Sequence, residues 1–244
     1  MADRRQEILD AALALADEKG LTAVSMRAVA ERTGVTPMAL YPYVGSKAAL
    51  LDGMVGRLLT GLLPPLAQDA GPAEADASPA DASPADTVPA DAARSEPDWW
   101  PRLRALAYAA RNLVHRHPWA SALLFMRPAI TPEAARSVDR IYMALLDAGV
   151  PAPEVARVER MLSTVVLGFA ASEVGGRFGD GGYDPRARRG MLAGQPLPGH
   201  KSLLPWLEAP VDWDAEFEAD LADLRALVES QATRWRDHPS QPSQ

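Results

Sequence analysis

Two short helical segments near the amino end are separated by a turn of only about three residues, and this spacing constrains the fold more than any other feature. Ser25 can cap the first helix, and Gly34 ends it, because glycine adopts the left-handed turn conformation at the least steric cost. Thr36 caps the second helix, and Pro37 fills its first position, where a missing N–H costs nothing. A helix pair joined this tightly is the geometry in which a second helix can enter the major groove of DNA.

Apolar residues recur at helical spacing along most of the chain, which indicates amphipathic helices. No segment shows convincing strand alternation, so the expected fold class is all-α: an amino-terminal three-helix unit with a connecting helix, then a helical bundle. The pattern predicts helices over residues 4–18, 26–32, 37–43, 47–63, 99–116, 118–125, 132–148, 153–174 and 214–236, with short helices near 185–192 and 203–207.

Residues 64–98 differ in composition from the rest of the chain. The triplet Pro-Ala-Asp recurs there at intervals of five residues, and the stretch holds eight acidic residues but only one basic residue. Such a segment cannot bury enough apolar surface to fold, so it is expected to be a disordered spacer; an acidic functional motif is the alternative. The chain therefore divides into domains at 1–63 and 99–238, with a linker at 64–98 and a tail at 239–244.

Composition excludes several classes of protein. The 244 residues include no cysteine, which rules out disulfides and thiolate chemistry. No apolar run approaches the roughly 20 residues of a membrane span, and the first apolar stretch is interrupted by Asp10, so a cytoplasmic protein is expected. The net charge of −7 does not argue against DNA binding, because much of the acidity lies in the linker and a basic patch acts over a Debye length of about 10 Å.

Two regions of the chain resemble the TetR family of transcriptional regulators. One covers about 8–58 and rests on Ile8, Ala12, Leu13, Gly20, the run 27–35, Leu40, Tyr41, Tyr43, Val44, Ser46, Lys47, Leu50 and Leu51. The other covers about 99–175, is similar to the tetracycline-repressor subclass, and rests on 116–119, 126–128, Leu145, Leu146, Gly149, Gly168, Phe169 and Glu173. The resemblance implies a homodimer, most simply a repressor, that reads a near-palindromic operator and is released from it by a small effector.

The resemblance also implies a DNA-binding set around the second helix of the pair. Arg27 suits the O6 and N7 atoms of guanine, with a phosphate or solvent contact as the equal alternative, and Lys47 fits a phosphate. Met38 and Ala39 can pack on a thymine methyl but donate no hydrogen bonds, and Pro42 is expected to bend or end the helix. The full predicted set is Ser25, Met26, Arg27, Thr36, Pro37, Met38, Ala39, Tyr41, Pro42, Tyr43 and Lys47.

A hydrophobic effector pocket is expected in the second half, with a filled core as the alternative. In the tetracycline repressor a histidine four residues before the arginine of the corresponding Arg-Pro pair binds the drug's magnesium ion. Leu123 stands there in this chain and offers no lone pair, so metal-dependent recognition is not expected. The predicted lining is Trp100, Leu103, Arg104, Leu106, Asn112, His115, Trp119, Leu123, Phe125, Met126, Arg127, Met143, Met161, Thr164, Val165 and Phe169.

The helices near 153–174 and 214–236 are expected to pair with their symmetry mates, as the family implies, with packing inside one chain as the alternative. The predicted dimer contacts are Val158, Leu162, Val166, Phe217, Leu221, Leu224 and Val228. An enzyme is the rival class, but the chain lacks a Gly-rich phosphate loop, and its four histidines do not have metal-ligand spacing. No cofactor or metal is predicted, and a ligand-independent DNA-binding protein remains the other alternative.

Overall fold

The computed structural model describes residues 2–62, 98–177, 196–207 and 209–237, and every regular element in these ranges is helical. The all-α expectation is therefore confirmed for the described chain. The helices α1–α4 are here called the head, and α5–α10 the body. The head comprises α1 (Ala2–Lys19), a short 3-10 turn (Leu21–Ala23), α2 (Met26–Arg32), α3 (Pro37–Val44) and α4 (Lys47–Thr60). The body comprises α5 (Trp99–Arg116), α6 (Ala120–Met126), α7 (Pro132–Asp147), α8 (Ala152–Val174), α9 (Pro198–Leu207) and α10 (Trp213–Asp237).

Side-chain caps begin three of the helices, namely α2, α4 and α7. The Ser25 hydroxyl accepts a hydrogen bond from the Ala28 amide at the start of α2, and Ser46 does the same for Ala49 in α4. Gly34 has the left-handed φ of 68° that the turn after α2 requires. Thr36 occupies the N-cap position of α3, but its side chain makes no capping hydrogen bond, contrary to the expectation.

Pro42 lies inside α3 and does not end it. The helix continues to Val44, and the Gly45 amide donates to the Tyr41 carbonyl at 2.8 Å, so the last turn forms around the missing N–H of proline. Of the two expected effects of Pro42, bending or ending the helix, the second does not occur, although α3 is short. The connecting helix α4 ends at Thr60, three residues before the predicted position.

Three predictions fall outside the described residues. They are the disordered linker within 64–97, the short helix near 185–192 and the tail at 239–244. The predicted short helix near 203–207 begins earlier, at Pro198, and the helix predicted from Pro118 begins at Ala120.

Two hydrophobic cores organise the described chain. The first core joins α1–α4 and also contains buried residues of the body, namely Leu113, Ala120, Leu123 and Ala134. The second core lies within the body and brings α5, α7, α8 and α10 together around Phe217, which is 1% exposed. Because α6 and the start of α7 are buried in the first core, the head is packed against the body over an apolar surface rather than only linked to it by the chain.

Helix α4 runs closely along α7. A Cβ atom built at Gly56 would lie 2.5 Å from Oγ1 of Thr131, the same hydroxyl oxygen that caps α7 by accepting from the Ala134 amide. Farther along, the Ser137 hydroxyl donates to the Leu59 carbonyl at 3.0 Å. The absence of a side chain at Gly56 therefore permits the approach of the two helices.

Replacing Gly56 with alanine is expected to lower the free energy of unfolding by about 1–3 kcal/mol, because either Thr131 gives up its cap or α7 moves away from α4. Urea unfolding of the full chain measures the change. Gly168→Ala in α8 is the matched control: nothing lies within 4 Å of its added methyl, so helix propensity should stabilise it slightly. If the two variants were equally stable, the close approach of α4 to α7 at Gly56 would be contradicted.

Candidate nucleic-acid interface and ligand cavity

Helix α3 has one buried side and one exposed side. Leu40 and Val44 are buried in the first core, which confirms the prediction that Leu40 holds the helix to its support. On the other side Met38 is 75% exposed, and Ala39, Tyr41 and Pro42 are exposed with it. The amino end of α3, Thr36 and Pro37, is also exposed. The surface offered by α3 is mainly apolar and aromatic, so it can contact thymine methyl groups and base edges but supplies few hydrogen-bond donors.

The remaining residues of the predicted DNA-binding set surround this surface. Arg27 and Lys47 are exposed, and neither forms an ion pair with another described residue. Ser25 is half-buried, with its hydroxyl in the cap of α2. Met26 and Tyr43 are half-buried because they pack against the first core, so they support the surface more than they extend it. Their role on DNA stays a prediction.

A cavity of about 960 Å³ lies between α4 of the head and α5, α7, α8 and α10 of the body, with α6 and the loop after it along one side. Its walls are mostly aliphatic and aromatic, including Trp100, Leu103 and Tyr142. Val55 and Leu59 of the connecting helix α4, and Leu62 just beyond its end, also line the cavity and were not predicted as lining. Val55 and Leu59 are four residues apart and so share one face of α4, and this is the sequence signal that could have identified them.

Polar side chains are a minority of the residues that line the cavity, and they differ in their partners. Arg127 donates from Nε to Asp52 Oδ1 at 2.7 Å and from an Nη to the Ala48 carbonyl at 3.1 Å, both on α4. This hydrogen bond to Asp52 raises the pKa of Arg127, which stays charged. Glu159 accepts a hydrogen bond from the Ser163 hydroxyl at 2.6 Å, and Arg160 also lines the cavity. An uncharged or amphiphilic organic molecule with a few polar groups fits these walls.

The predicted effector residues divide into two groups. Seven line the cavity: Trp100, Leu103, Leu106, Phe125, Met126, Arg127 and Thr164. The other nine do not line it: Arg104, Asn112, His115, Trp119, Leu123, Met143, Met161, Val165 and Phe169.

Packing between distant elements explains why several of these nine lie elsewhere. Leu123 is buried in the first core, under the head, and Phe169 in the second core. Trp119 donates its indole N–H to Asp17 of the head at 2.7 Å. Met143 and Val165 are exposed on the outer sides of α7 and α8. Arg104 forms an ion pair with Glu218, and His115 contacts the carboxylate of Glu173. The side chain of Asn112 is exposed, and that of Met161 is half-buried against the second core.

The predicted dimer contacts lie inside one chain. Val158, Val166, Phe217, Leu221, Leu224 and Val228 are buried in the second core, and Leu162 is half-buried against it. Four of these seven, Leu162, Val166, Leu221 and Leu224, also line the cavity. These side chains are covered by α5, α7, α8 and α10 of the same subunit, so they pack intramolecularly instead of forming an outer face.

A buried ionic cluster holds α5, α8 and α10 together beside the second core. Arg111 and Glu173 pair at 2.5 Å with side chains only 10% and 9% exposed, and Arg111 also reaches Asp214 at 2.7 Å. The Arg111 guanidinium lies 4.8 Å from the ring centre of Phe217, a cation–π distance. Burial alone would raise the pKa of Glu173, but hydrogen bonds from Arg111 and His115 outweigh it and lower that pKa.

Helices α2 and α3 are joined by a short turn, α3 is exposed on one side, and α4 connects them to a body with an apolar cavity. This arrangement is typical of helix-turn-helix transcriptional regulators. Residues 8–54 match the family of bacterial regulatory proteins called tetR, and residues 92–224 match the tetracycline-repressor-like carboxyl-terminal domain. The second match alone covers more than half of the chain. The chain therefore belongs to the TetR family of transcriptional regulators, as the resemblance implied.

Curated relatives agree with this assignment. The HTH-type transcriptional repressor DrrR1 of Streptomyces coeruleorubidus is 29% identical over 167 residues, which are 68% of this chain and 52% of that protein. The chain thus spans about half the length of this relative. The repressor KstR of Mycolicibacterium smegmatis is 53% identical over 55 residues, 22% of this chain and 27% of that protein. These relatives are transcriptional regulators by name, in line with the family to which the chain belongs.

The fold is shared with solved structures. The TetR family protein ActR of Streptomyces coelicolor in complex with actinorhodin has a TM-score of 0.70 and 21% identity, covering 93% of this chain and 97% of ActR. At this identity the comparison establishes the fold alone.

Among the described residues, no three His, Asp or Glu side chains approach one another closely enough to hold a metal ion. None of the described helices combines the length and the apolar character that a membrane crossing needs.

Proposed function

We propose that the protein is a homodimeric repressor that binds a near-palindromic operator through α3 and is released by a small hydrophobic effector bound in the body cavity. The proposal joins two surfaces at opposite ends of one helix. Helix α4 begins at Lys47, directly after α3, and its Val55 and Leu59 form part of the cavity wall. This sharing of α4 is the observation that carries the proposal, because a molecule that enters the cavity must press on the helix that holds the DNA-contacting segment.

The polar contact of Arg127 strengthens this connection. Its guanidinium lies in the cavity wall and also binds Asp52 and the Ala48 carbonyl on the first turns of α4. A ligand that displaces Arg127 removes two hydrogen bonds that hold the head in place. The effector then shifts the population of head positions toward one that no longer fits the operator.

The apolar walls support an effector with a large hydrophobic body. ActR, which shares the fold, has been solved in complex with actinorhodin, and this supports a small-molecule effector for the present chain. Ligand-independent DNA binding, the alternative, would require a filled bundle, and a cavity of about 960 Å³ argues against it.

Homodimerisation is proposed because an operator with two half-sites needs two heads at a fixed distance. The side chains expected to form the contact lie inside one chain, so other surfaces must supply it. Helix α9 carries the largest exposed apolar side chains of the body's carboxyl-terminal part: Trp206 is 71% exposed, with Leu203 and Leu204 beside it. Sedimentation equilibrium of the full chain at micromolar concentration tests the dimer, and a monomer that persists at all concentrations would overturn it.

Two experiments test the proposal as a whole. Selection of bound sequences from random DNA should recover an inverted repeat, and a thermal-shift screen of hydrophobic compounds should find molecules that raise the melting temperature. Compounds found in this way should weaken operator binding in a mobility-shift assay. If every stabilising compound leaves operator affinity unchanged, the protein binds DNA independently of ligand.

Lys47→Ala is expected to weaken DNA binding by a similar factor on all sequences, because an ammonium group that contacts phosphate carries no base information. Fluorescence anisotropy at several salt concentrations should show the slope of log affinity against log salt reduced by about one. Lys19→Ala, at the end of α1, is the control for loss of one exposed charge from the head. An altered base preference would contradict the phosphate role of Lys47.

A further inference from the structure

The head is attached to the body by polar contacts at both ends of α6. Beyond the carboxyl end of α6, Arg127 binds α4, as described above. Just before its amino end, His117 and Trp119 meet Asp17, near the end of α1. Helix α6 itself is anchored in the first core through Ala120 and Leu123. The head thus sits on a short helix that is fixed to it at two separated points.

The contact at Asp17 is geometrically restrictive. One carboxylate oxygen, Oδ1, lies 2.6 Å from Nδ1 of His117 and accepts the indole N–H of Trp119 at 2.7 Å. The two rings meet edge-on with centres 5.9 Å apart, and Pro118 between them limits the backbone. Trp119 also packs against the first core. A rotation of α1 relative to the body would break both contacts at once.

This contact is separate from the cavity. Neither Asp17, His117 nor Trp119 lines it, whereas Arg127 does. A molecule in the cavity can therefore disturb the attachment on α4 without touching the one on α1. A ligand in the cavity can therefore contact Arg127 directly but cannot contact Asp17, His117 or Trp119.

We propose that Asp17, His117 and Trp119 are positioning residues that set the angle of the head on the body, and hence the half-site spacing that the dimer reads. The inference rests on the proposed dimeric, operator-binding function. When the Arg127 contact is released, the Asp17 contact remains and limits how α1 can turn relative to the body. None of the three residues needs to touch DNA for this role.

The dependence of affinity on the spacing between operator half-sites distinguishes residues that position the head from residues that only stabilise the fold. Operators are prepared with the spacer between half-sites at its optimum and changed by one and two base pairs; each added pair moves a half-site by about 3.4 Å and rotates it about the DNA axis. The full-length wild type should lose about tenfold in affinity for a change of one base pair, a penalty similar to that of a mismatched pair. Asp17→Ala should bind the optimum more weakly and lose less than about threefold for the same change.

Asp10→Ala is the matched control. It removes an exposed carboxylate from the same helix, but Asp10 pairs with Arg57 inside the head and not with the body. Its spacing profile should coincide with that of the wild type. Trp119→Phe, which keeps the ring and removes the N–H donor, should broaden the profile as Asp17→Ala does.

The outcomes distinguish the two claims. If the wild type has a clear spacing optimum and Asp17→Ala and Trp119→Phe share it, the positioning role is overturned, even when both variants melt at lower temperature. If the wild type itself shows no spacing preference, the proposed dimeric operator binding fails, and the inference fails with it. A broadened profile in both variants, with an unchanged Asp10→Ala profile, supports the inference.

Discussion

Glu173→Ala is expected to lower the free energy of unfolding by about 3 kcal/mol. The substitution leaves the Arg111 guanidinium buried beside Phe217 and Phe169 without its main partner, and breaking a buried pair on one side typically costs about 3–5 kcal/mol. The lower end applies because Asp214, which is largely exposed, still pairs with Arg111. Urea unfolding of the full chain at pH 7 measures the loss.

Glu154→Ala on the same helix is the control for this first prediction. Its partner Arg157 lies three residues away, and both side chains are exposed, so the expected loss is at most about 1 kcal/mol. Equal losses in the two variants would show that the Arg111–Glu173 pair contributes no more than a surface pair.

The same pair predicts a dependence on pH. The pKa of Glu173 is lower in the folded protein than its ordinary value of about 4.3, so its stabilising contribution is complete above that value. The contribution is lost as the pH falls through the folded pKa, because the carboxylate is then protonated in both states. The difference in stability between wild type and Glu173→Ala should therefore be constant near neutral pH and shrink below about pH 4.

Asp52→Asn is expected to uncouple effector binding from operator release. The substitution keeps the size of the side chain and leaves Arg127 in the cavity wall, but it removes the charge that holds Arg127 to α4. A compound found by thermal shift should bind the variant with an affinity within about threefold of the wild type. Its effect on operator affinity, expected to be about 5- to 150-fold in the wild type, should fall several-fold.

The measurement is operator affinity with and without a saturating concentration of that compound. Arg57→Gln is the control, because it breaks an ion pair of α4 that lies within the head and does not reach the cavity. If Asp52→Asn responds to the compound as strongly as Arg57→Gln and the wild type do, the signal does not pass through the Arg127–Asp52 contact.

The helix-turn-helix could be predicted because its determinants are local. The cap at Ser25, the left-handed Gly34 and the proline at the start of α3 each act within about four residues, and all three are found where expected. The sequence leaves open whether Pro42 bends or ends α3, because a missing N–H is compatible with both. The surrounding core, which buries Leu40 and Val44 on either side of it, keeps the helix intact.

The cavity and the dimer contacts were predicted less well, because an apolar stripe identifies a buried face but not what covers it. The stripe of α10 packs on α5 and α8 of its own chain, and Trp119 and Leu123 face the head. The lining from α4 is not evident from the sequence, because the chain connects that helix directly to the DNA-binding segment.

The amino-acid sequence by itself determined the helical segments, most of their caps and the family, because these depend on contacts between near neighbours and on the order of residue types. Only the tertiary structure decided which apolar faces cover one another, that α4 forms a wall of the cavity, and that Asp17 and Asp52 bind the body. Those arrangements depend on pairs of residues 75 to 102 positions apart, such as Asp52 with Arg127 and Asp17 with Trp119, whose proximity no local pattern encodes.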